Sequence, residues 1–362
     1  MTAELLSPPN GARADLFALS EPNIPALAAF IGSQSGQRKE TVQSHLRWFL
    51  LQNPARQPAD PLGFALRSED KIVACILCSP QSFQVLHRSM NLMGSSSFYV
   101  AENFRGQGGR IFLQYARLGQ LQPLFGTSAN AAAAALWKAA GASPIPCSEG
   151  ELFGVFRWSP LAEEFAHRKS SSRILRHIAR SSAARLVGLF HPLKIDMTDS
   201  SEMRILNSAE EALEIASHAP SEKITSLRDM PYLRWRYFSG HDPTAALFSC
   251  SHLSTGRSVM VAVNQRPRGY RGQISTLNVL DVFPEVCPED WLKIAGALAA
   301  HYRQRIDALV LRNQSLRNRE RLIARGFLWR AFDAPTGWLL DKAKRLPSHD
   351  RYFVPADGDS LI

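Results

Sequence analysis

Cysteine is scarce in this chain, with five among 362 residues, an odd number spread from Cys75 to Cys287. That excludes a disulfide framework and fits a reducing compartment. Long apolar runs are also missing, since none approaches the ~20 residues that a membrane-spanning helix requires. Met1 to Asp15 has neither a basic start nor an apolar signal core, so secretion is not expected and a cytoplasmic protein is. Acids are absent between residues 166 and 194, where Arg168, Lys169, Arg173, Arg176, Arg180, Arg185 and Lys194 gather. No metal site is expected. Cys75 and Cys78 are three apart in an apolar, strand-like run, and such residues point to opposite faces.

What is present starts with charge. Lys and Arg total 42 against 32 Asp and Glu, a formal net charge of +10 that draws anionic partners. The basic stretch 166–194 carries apolar Ile174, Ile178, Leu186, Val187 and Phe190 at helical spacing. It reads as a helical linker, with peripheral contact to an anionic surface as the competing reading. No nucleic-acid motif accompanies the charge, so no specific nucleic-acid partner is expected.

The sharpest stretch is Phe98 to Gln114. A β-prone segment enters a turn with Gly106, Gly108 and Gly109, flanked by Arg105 and Arg110, and a helix-prone segment follows. Glycines at a helix start expose backbone N–H groups beside the positive dipole end, a setting that binds phosphate. The competing reading is a turn that needs glycine only for its backbone angles.

Elsewhere the order of strands and helices is α/β, with a mixed sheet, a mostly antiparallel start and one central βαβ unit. Strands are expected at Leu16–Leu19, 61–67, 71–77, 95–100 and 123–128, and again at 151–158. The helix from Asn130 ends at Gly141. The order then recurs. Trp48 and Trp235 are 235 − 48 = 187 residues apart, as are Ile72 and Val259, while Asn130 and Asn313, each opening a helix, are 183 apart. A recurring offset implies two copies of one fold, at 1–160 and 201–362, joined by the basic segment 161–200. The second copy has Asp281 to Asp290, with two prolines and four acids, in place of the glycine turn, and should not hold the same anion.

These residues resemble the Gcn5-related N-acetyltransferase (GNAT) superfamily. Val100, Phe104, Arg105, Gly106 and Gly108 fall on its acyl-CoA motif, with Glu102 and Arg110 departing from it, and Asn130 through Trp137 to Gly141 is similar to its next motif. The resemblance implies two tandem GNAT-like domains and acetyl-CoA, or another acyl-CoA, as co-substrate. It implies that the amides of Gln107, Gly108, Gly109 and Arg110 hold the pyrophosphate, that Tyr99–Val100 pairs with pantetheine, and that Asn130 and Trp137 flank the cofactor. The acyl acceptor would be an amine of a small molecule or sugar. The block Trp235-Arg236-Tyr237 and the terminal Tyr352 to Asp359 resemble tandem GNAT proteins of the surface-polysaccharide type. The family's leaving-group acid is a tyrosine where this chain has Trp137, so Tyr99 or Tyr115 is the alternative donor. Ser128, His45 and Glu102 are the candidate bases. Two competing functions remain: an inactive acyl-CoA-binding scaffold, and an aminoacyl-tRNA-dependent peptidoglycan aminoacyl transferase. A homodimer is compatible with all three.

Overall fold

Residues 72 to 78 are apolar at every position, as a strand covered on both faces must be. In the computed structural model this run is the middle of β3 (Lys71–Val85), the longest strand. Cys75 and Leu77 face one core cluster, Ile76 and Cys78 the other. The structure describes residues 14–85, 88–169, 193, 202–217, 224–269, 272–302, 305–312, 315–346 and 351–353. Residues 170–192 of the basic stretch, Asn313 and the terminal Asp357 and Asp359 lie outside them.

Two sheets carry the molecule. From the first half come β1 (Asp15–Ala18), β2 (Gly63–Ser68), β3, β4 (Arg88–Val100), β5 (Leu124–Gly126), β6 (Ser143–Pro144) and β7 (Gly150–Val155). From the second come β8 (Met203–Ile205), β9 (Ile224–Ser226), β10 (Ala245–Cys250), β11 (Val259–Arg268), β12 (Ile274–Phe283), β13 (Ala308–Arg312), β14 (Leu328–Ala331), β15 (Trp338–Leu340) and β16 (Arg351–Tyr352). The first sheet runs β1-β2-β3-β4-β5-β15-β6, with β9 beside β3 and β16 beside β9. The second runs β8-β10-β11-β12-β13-β7-β14. Both have an antiparallel start and then a parallel pair, β4 with β5 and β12 with β13, and in the first sheet β16 also pairs parallel with β9.

Each sheet takes its sixth strand from the other half of the chain. Sequence reading places 151–158 as the closing strand of the first half. Instead β7 lies antiparallel between β13 and β14 of the second sheet, and β15 lies between β5 and β6 of the first. Glycine makes one of these insertions fit: a Cβ on Gly150 would fall 2.3 Å from the Trp329 ring. β3 and β4 also extend well beyond the expected 71–77 and 95–100. The added residues are rich in Ser, Gln and Asn, which weakens the alternating signal without preventing a ladder.

In the first half, α1 (Ile24–Ser35) and α2 (Lys39–Leu46) cover one face of the sheet, and α3 (Gly108–Arg117) and α4 (Ala131–Ala139) are on the other. Helix α2 runs on into a π-helical turn, Arg47–Leu51, that carries Trp48. Trp48 Nε1 donates to the Trp235 carbonyl and Trp235 Nε1 to the Trp48 carbonyl, each at 3.0 Å, with the rings stacked 4.9 Å apart. Such a reciprocal exchange is what a two-fold axis produces. Trp48 is buried, at 3% exposed, while Trp235 is half-buried.

Candidate functional site

The parallel strands β4 and β5 pair only at Met93 with Leu124 and Gly94 with Phe125. β5 then stops at Gly126 while β4 continues to Val100, so the two diverge. Tyr115 of α3 sits under that fork. It is fully buried, its hydroxyl donates to the Met93 carbonyl at 2.8 Å, and the Phe125 carbonyl lies 3.4 Å away. The divergence opens a cleft of about 270 Å³, with Ser95, Ser97, Tyr99, Ser128, Asn130 and Trp137 on its walls.

A bulge shapes the cleft's β4 wall. The ladder slips between Cys75, opposite Tyr99, and Leu77, opposite Ser96, which leaves an extra residue on β4. Ser97 takes a left-handed φ of 47°, strained for a residue with a side chain, and its carbonyl accepts from the Cys75 thiol at 3.3 Å. Burial pushes that thiol up to about 12, so Cys75 stays protonated. Strain of this kind concentrates where backbone groups are aimed at a ligand.

The glycine turn closes one end of β4. Glu102–Gln107 forms a 3-10 helix that passes directly into α3 at Gly108. None of its three glycines has a positive φ, so the turn does not need them for backbone angles. A Cβ on Gly106 or Gly109 would meet nothing within 4 Å, whereas one on Gly108 would lie 3.3 Å from Val100 Cγ2. Gly108 is thus a packing glycine, and Gly106 and Gly109 leave bare backbone under open space. This fits a ligand that must approach the chain closely. The Gly108 N–H donates to the Arg105 carbonyl, so one of the four amides expected to face a pyrophosphate is taken by the turn itself.

The other sequence-derived residues divide by position. Arg105 is 74% exposed beside Glu102, 3.8 Å away, within the turn. Arg110 is directed at the Ala14 carbonyl and Gln107 Oε1, at 3.3 and 2.7 Å. Asn130 caps α4, accepting from the Ala133 N–H at 2.9 Å. Trp137 is 2% exposed, edge-to-face with Phe112 and Tyr115. Tyr99 and Ser128 both reach the cleft, half-buried and exposed respectively. Tyr115 does not: it lies beneath the fork, and burial holds its phenol well above the usual range, so it is unsuited to protonate a leaving group. His45 is likewise no exposed base. It is buried, with Nδ1 2.8 Å from His241 Nε2. The serine run 95–97, on the cleft's β4 wall, is not among the sequence-derived residues, because the bulge there is set by cross-strand register.

The second sheet has a bulge at the matching place, and among the described residues its helix start is occupied differently. Its ladder slips between Ala262 and Val263, 262 − 75 = 187 residues after Cys75. There, Asp281 is buried in a bidentate pair with Arg228, both bonds 2.8 Å, and accepts from the Tyr237 hydroxyl at 3.0 Å. At the start of helix Pro288–His301, buried Asp290 accepts from the Ser254 amide and hydroxyl at 2.7 and 2.8 Å. An internal carboxylate therefore occupies the helix end where an anion would bind. That helix's counterpart of α4 is Leu316–Ala324, capped by Ser315 rather than by the expected Asn313.

No known family profile and no curated protein matches this sequence. Solved structures do match its fold. Saccharomyces cerevisiae N-myristoyltransferase with bound myristoyl-CoA superposes with a TM-score of 0.56 at 10% identity, covering 93% of this chain and 81% of its own. A GCN5-related N-acetyltransferase from Anabaena variabilis gives 0.54 at 11%, covering 91% and 74%. One from Kribbella flavida gives 0.50 at 11%, covering 91% and 71%. The chain has the GNAT fold.

Proposed function

We propose that the protein is an acyl-CoA-dependent N-acyltransferase built from two tandem GNAT-like halves that exchange strands, of which only the first half's fork handles the thioester. The observation that carries this reading is the fork between β4 and β5, flanked by the open glycines at 106 and 109 and by the Asn130 helix. The residues fit an acyl-CoA: the turn offers bare backbone for a pyrophosphate, and the free edge of β4 offers strand-like pairing to an amide-bearing arm. When bound, that co-substrate supplies an activated thioester carbonyl. The bulge at Ser97 takes β4 backbone out of the ladder beside the cleft, and an N–H freed there would polarise that carbonyl. Tyr99 and Ser128, beside Ser95 and Ser97, are the hydroxyl-bearing residues of the cleft walls to test as partners of the amine proton and the departing thiolate. The acceptor is a small-molecule or sugar amine, and the small cleft suits an acetyl donor.

Calorimetric titration of acetyl-CoA tests the binding half. The native protein should bind one equivalent, and Gly109→Glu should abolish binding; equal affinity in both would refute the site. A second reading, acyl-CoA binding without turnover, is favoured by one residue: Trp137, whose indole N–H donates hydrogen bonds but no proton. Trp137→Tyr separates the two. If a missing acid limits the reaction, kcat on an amine panel rises in the variant, at a stability cost of roughly 1–3 kcal/mol for the smaller ring. An unchanged kcat would assign the proton to another group, and zero turnover in both proteins would leave the binder.

A further inference from the structure

A second cavity, of about 460 Å³, lies between the helix Ala209–Ser217 and the β8 edge of the second sheet. Strand alternation explains its floor. Leu247 and Met260 belong to the core cluster packed beneath that helix. Ser249, two residues after Leu247 and opposite Met260 in register, shares their face, where another apolar side chain would continue the core. Its side chain lines the cavity instead. Ser249 is 9% exposed, and its hydroxyl makes no hydrogen bond among the described residues. A buried hydroxyl without a partner is destabilising, and a polar ligand would complete it.

Charge is divided by sign around that hydroxyl. On the strand side, Arg204 of β8 is the register partner of Ser249. Arg257 follows a turn closed by the Gly256 N–H, which donates to the Leu253 carbonyl at 2.9 Å. On the helix side, Glu211 and Glu214 share a face with Ile215. Arg204 bonds Glu211 at 3.1 Å, and a carboxylate with about four acceptor sites keeps capacity beyond that bond. Arg257 pairs with no acid among the described residues, and its planar fork suits a carboxylate. Two arginines and two glutamates leave the lining neutral overall. An anion alone would face the glutamates, and a cation alone the arginines. A ligand with both signs is matched by both. Ile215 and Pro284 add apolar wall.

We propose that this cavity binds a small zwitterion with a carboxylate and an ammonium, as in an apolar amino acid or a short peptide. The carboxylate lies toward Arg257 and the ammonium toward the glutamates, with Ser249 bonding between them. The volume is that of a small-molecule site. The cavity belongs to the second half and does not depend on the acyl-transfer reading.

The test is a calorimetric titration of L-leucine into the full chain with no acyl donor present. One equivalent should bind. L-leucinamide, which lacks the carboxylate, and N-acetyl-L-leucine, which lacks the ammonium, should each bind about tenfold or more weakly. Arg257→Gln should bring leucine down to the level of leucinamide. Arg257 is exposed and bonds no acid among the described residues, so the variant should melt with the native protein. Lost affinity then reports the site and not the fold, and leucine held in the fork cleft would be unaffected. Ser249→Ala should also weaken leucine without lowering the melting temperature, since it removes a buried hydroxyl that has no partner. Leucyl-leucine distinguishes the sources: tighter binding than leucine indicates a peptide, weaker binding the free amino acid. No heat from either compound, N-acetyl-leucine bound as tightly as leucine, or an affinity unchanged in either variant would overturn the site.

Discussion

Gly106 and Gly109 adopt backbone angles open to any residue and have no neighbour within 4 Å of a notional Cβ. The fold therefore gains nothing from glycine at either position, and the proposed site accounts for the absence of side chains by a ligand over the turn. Gly109→Ala puts that to a two-sided test. Within the first turn of α3 it should stabilise the protein by up to about 1 kcal/mol, because alanine loses less entropy in a helix. It should at the same time weaken acetyl-CoA binding. A higher melting temperature with unchanged affinity would mean that nothing rests on Gly109. Gly108→Glu is a poorer probe, since Val100 already lies 3.3 Å from that Cβ. At this scale the sequence was informative at the Asn130 cap, where residue type decides the local hydrogen bond. It was silent on Ser97, because a bulge is decided by cross-strand register and not by the serine.

The elements that matter most are those that place the fork. Tyr115 ties α3 to the Met93 carbonyl on β4, with the Phe125 carbonyl of β5 also near its hydroxyl. Tyr115→Phe removes that tie and leaves buried acceptors. A loss of about 1–2 kcal/mol is expected in urea unfolding, together with weaker acetyl-CoA binding as the fork relaxes. Unaltered affinity at reduced stability would confine Tyr115 to the core. On the second sheet, β7 brings an acid among arginines, and its titration has a sign. Burial raises the Glu151 pKa, but Arg312, Arg268 and Arg330 outweigh it and hold the carboxyl below its usual 4.5. A depressed carboxylate stabilises the fold above its unfolded pKa, and that stability is lost as pH falls through the folded one. The urea midpoint should accordingly drop below about pH 4.5. Arg330→Gln should make that drop smaller and complete it at higher pH, since one of the groups holding the proton off is gone while the onset is set by the unfolded carboxyl. A drop of unchanged size in the variant would remove Arg330 from the cluster's electrostatics. Sequence pattern identified β7 as a strand and missed its sheet, because alternation reports burial of a face and not the identity of the neighbouring strand.

At the scale of the molecule, the 187-residue offset seen in the sequence returns as geometry. Trp48 and Trp235 exchange equivalent hydrogen bonds, and the two bulges fall at the same spacing. What no local pattern conveyed is that each half completes the other's sheet, through β7 in one direction and β15 in the other. Two ordinary tandem domains would unfold separately, each with its own midpoint. Reciprocal strands remove that option, because opening either sheet strips a central strand from its anchor in the other. Gly150→Ala provides the lever. Its Cβ would strike the Trp329 ring at 2.3 Å and the Arg330 carbonyl at 2.6 Å, an overpacking worth roughly 1–3 kcal/mol in the second sheet alone. Native-state hydrogen exchange should then show β3 amides, in the unmutated sheet, losing as much protection as those of β11. Loss confined to β11 would show that the halves unfold independently in spite of the exchanged strands.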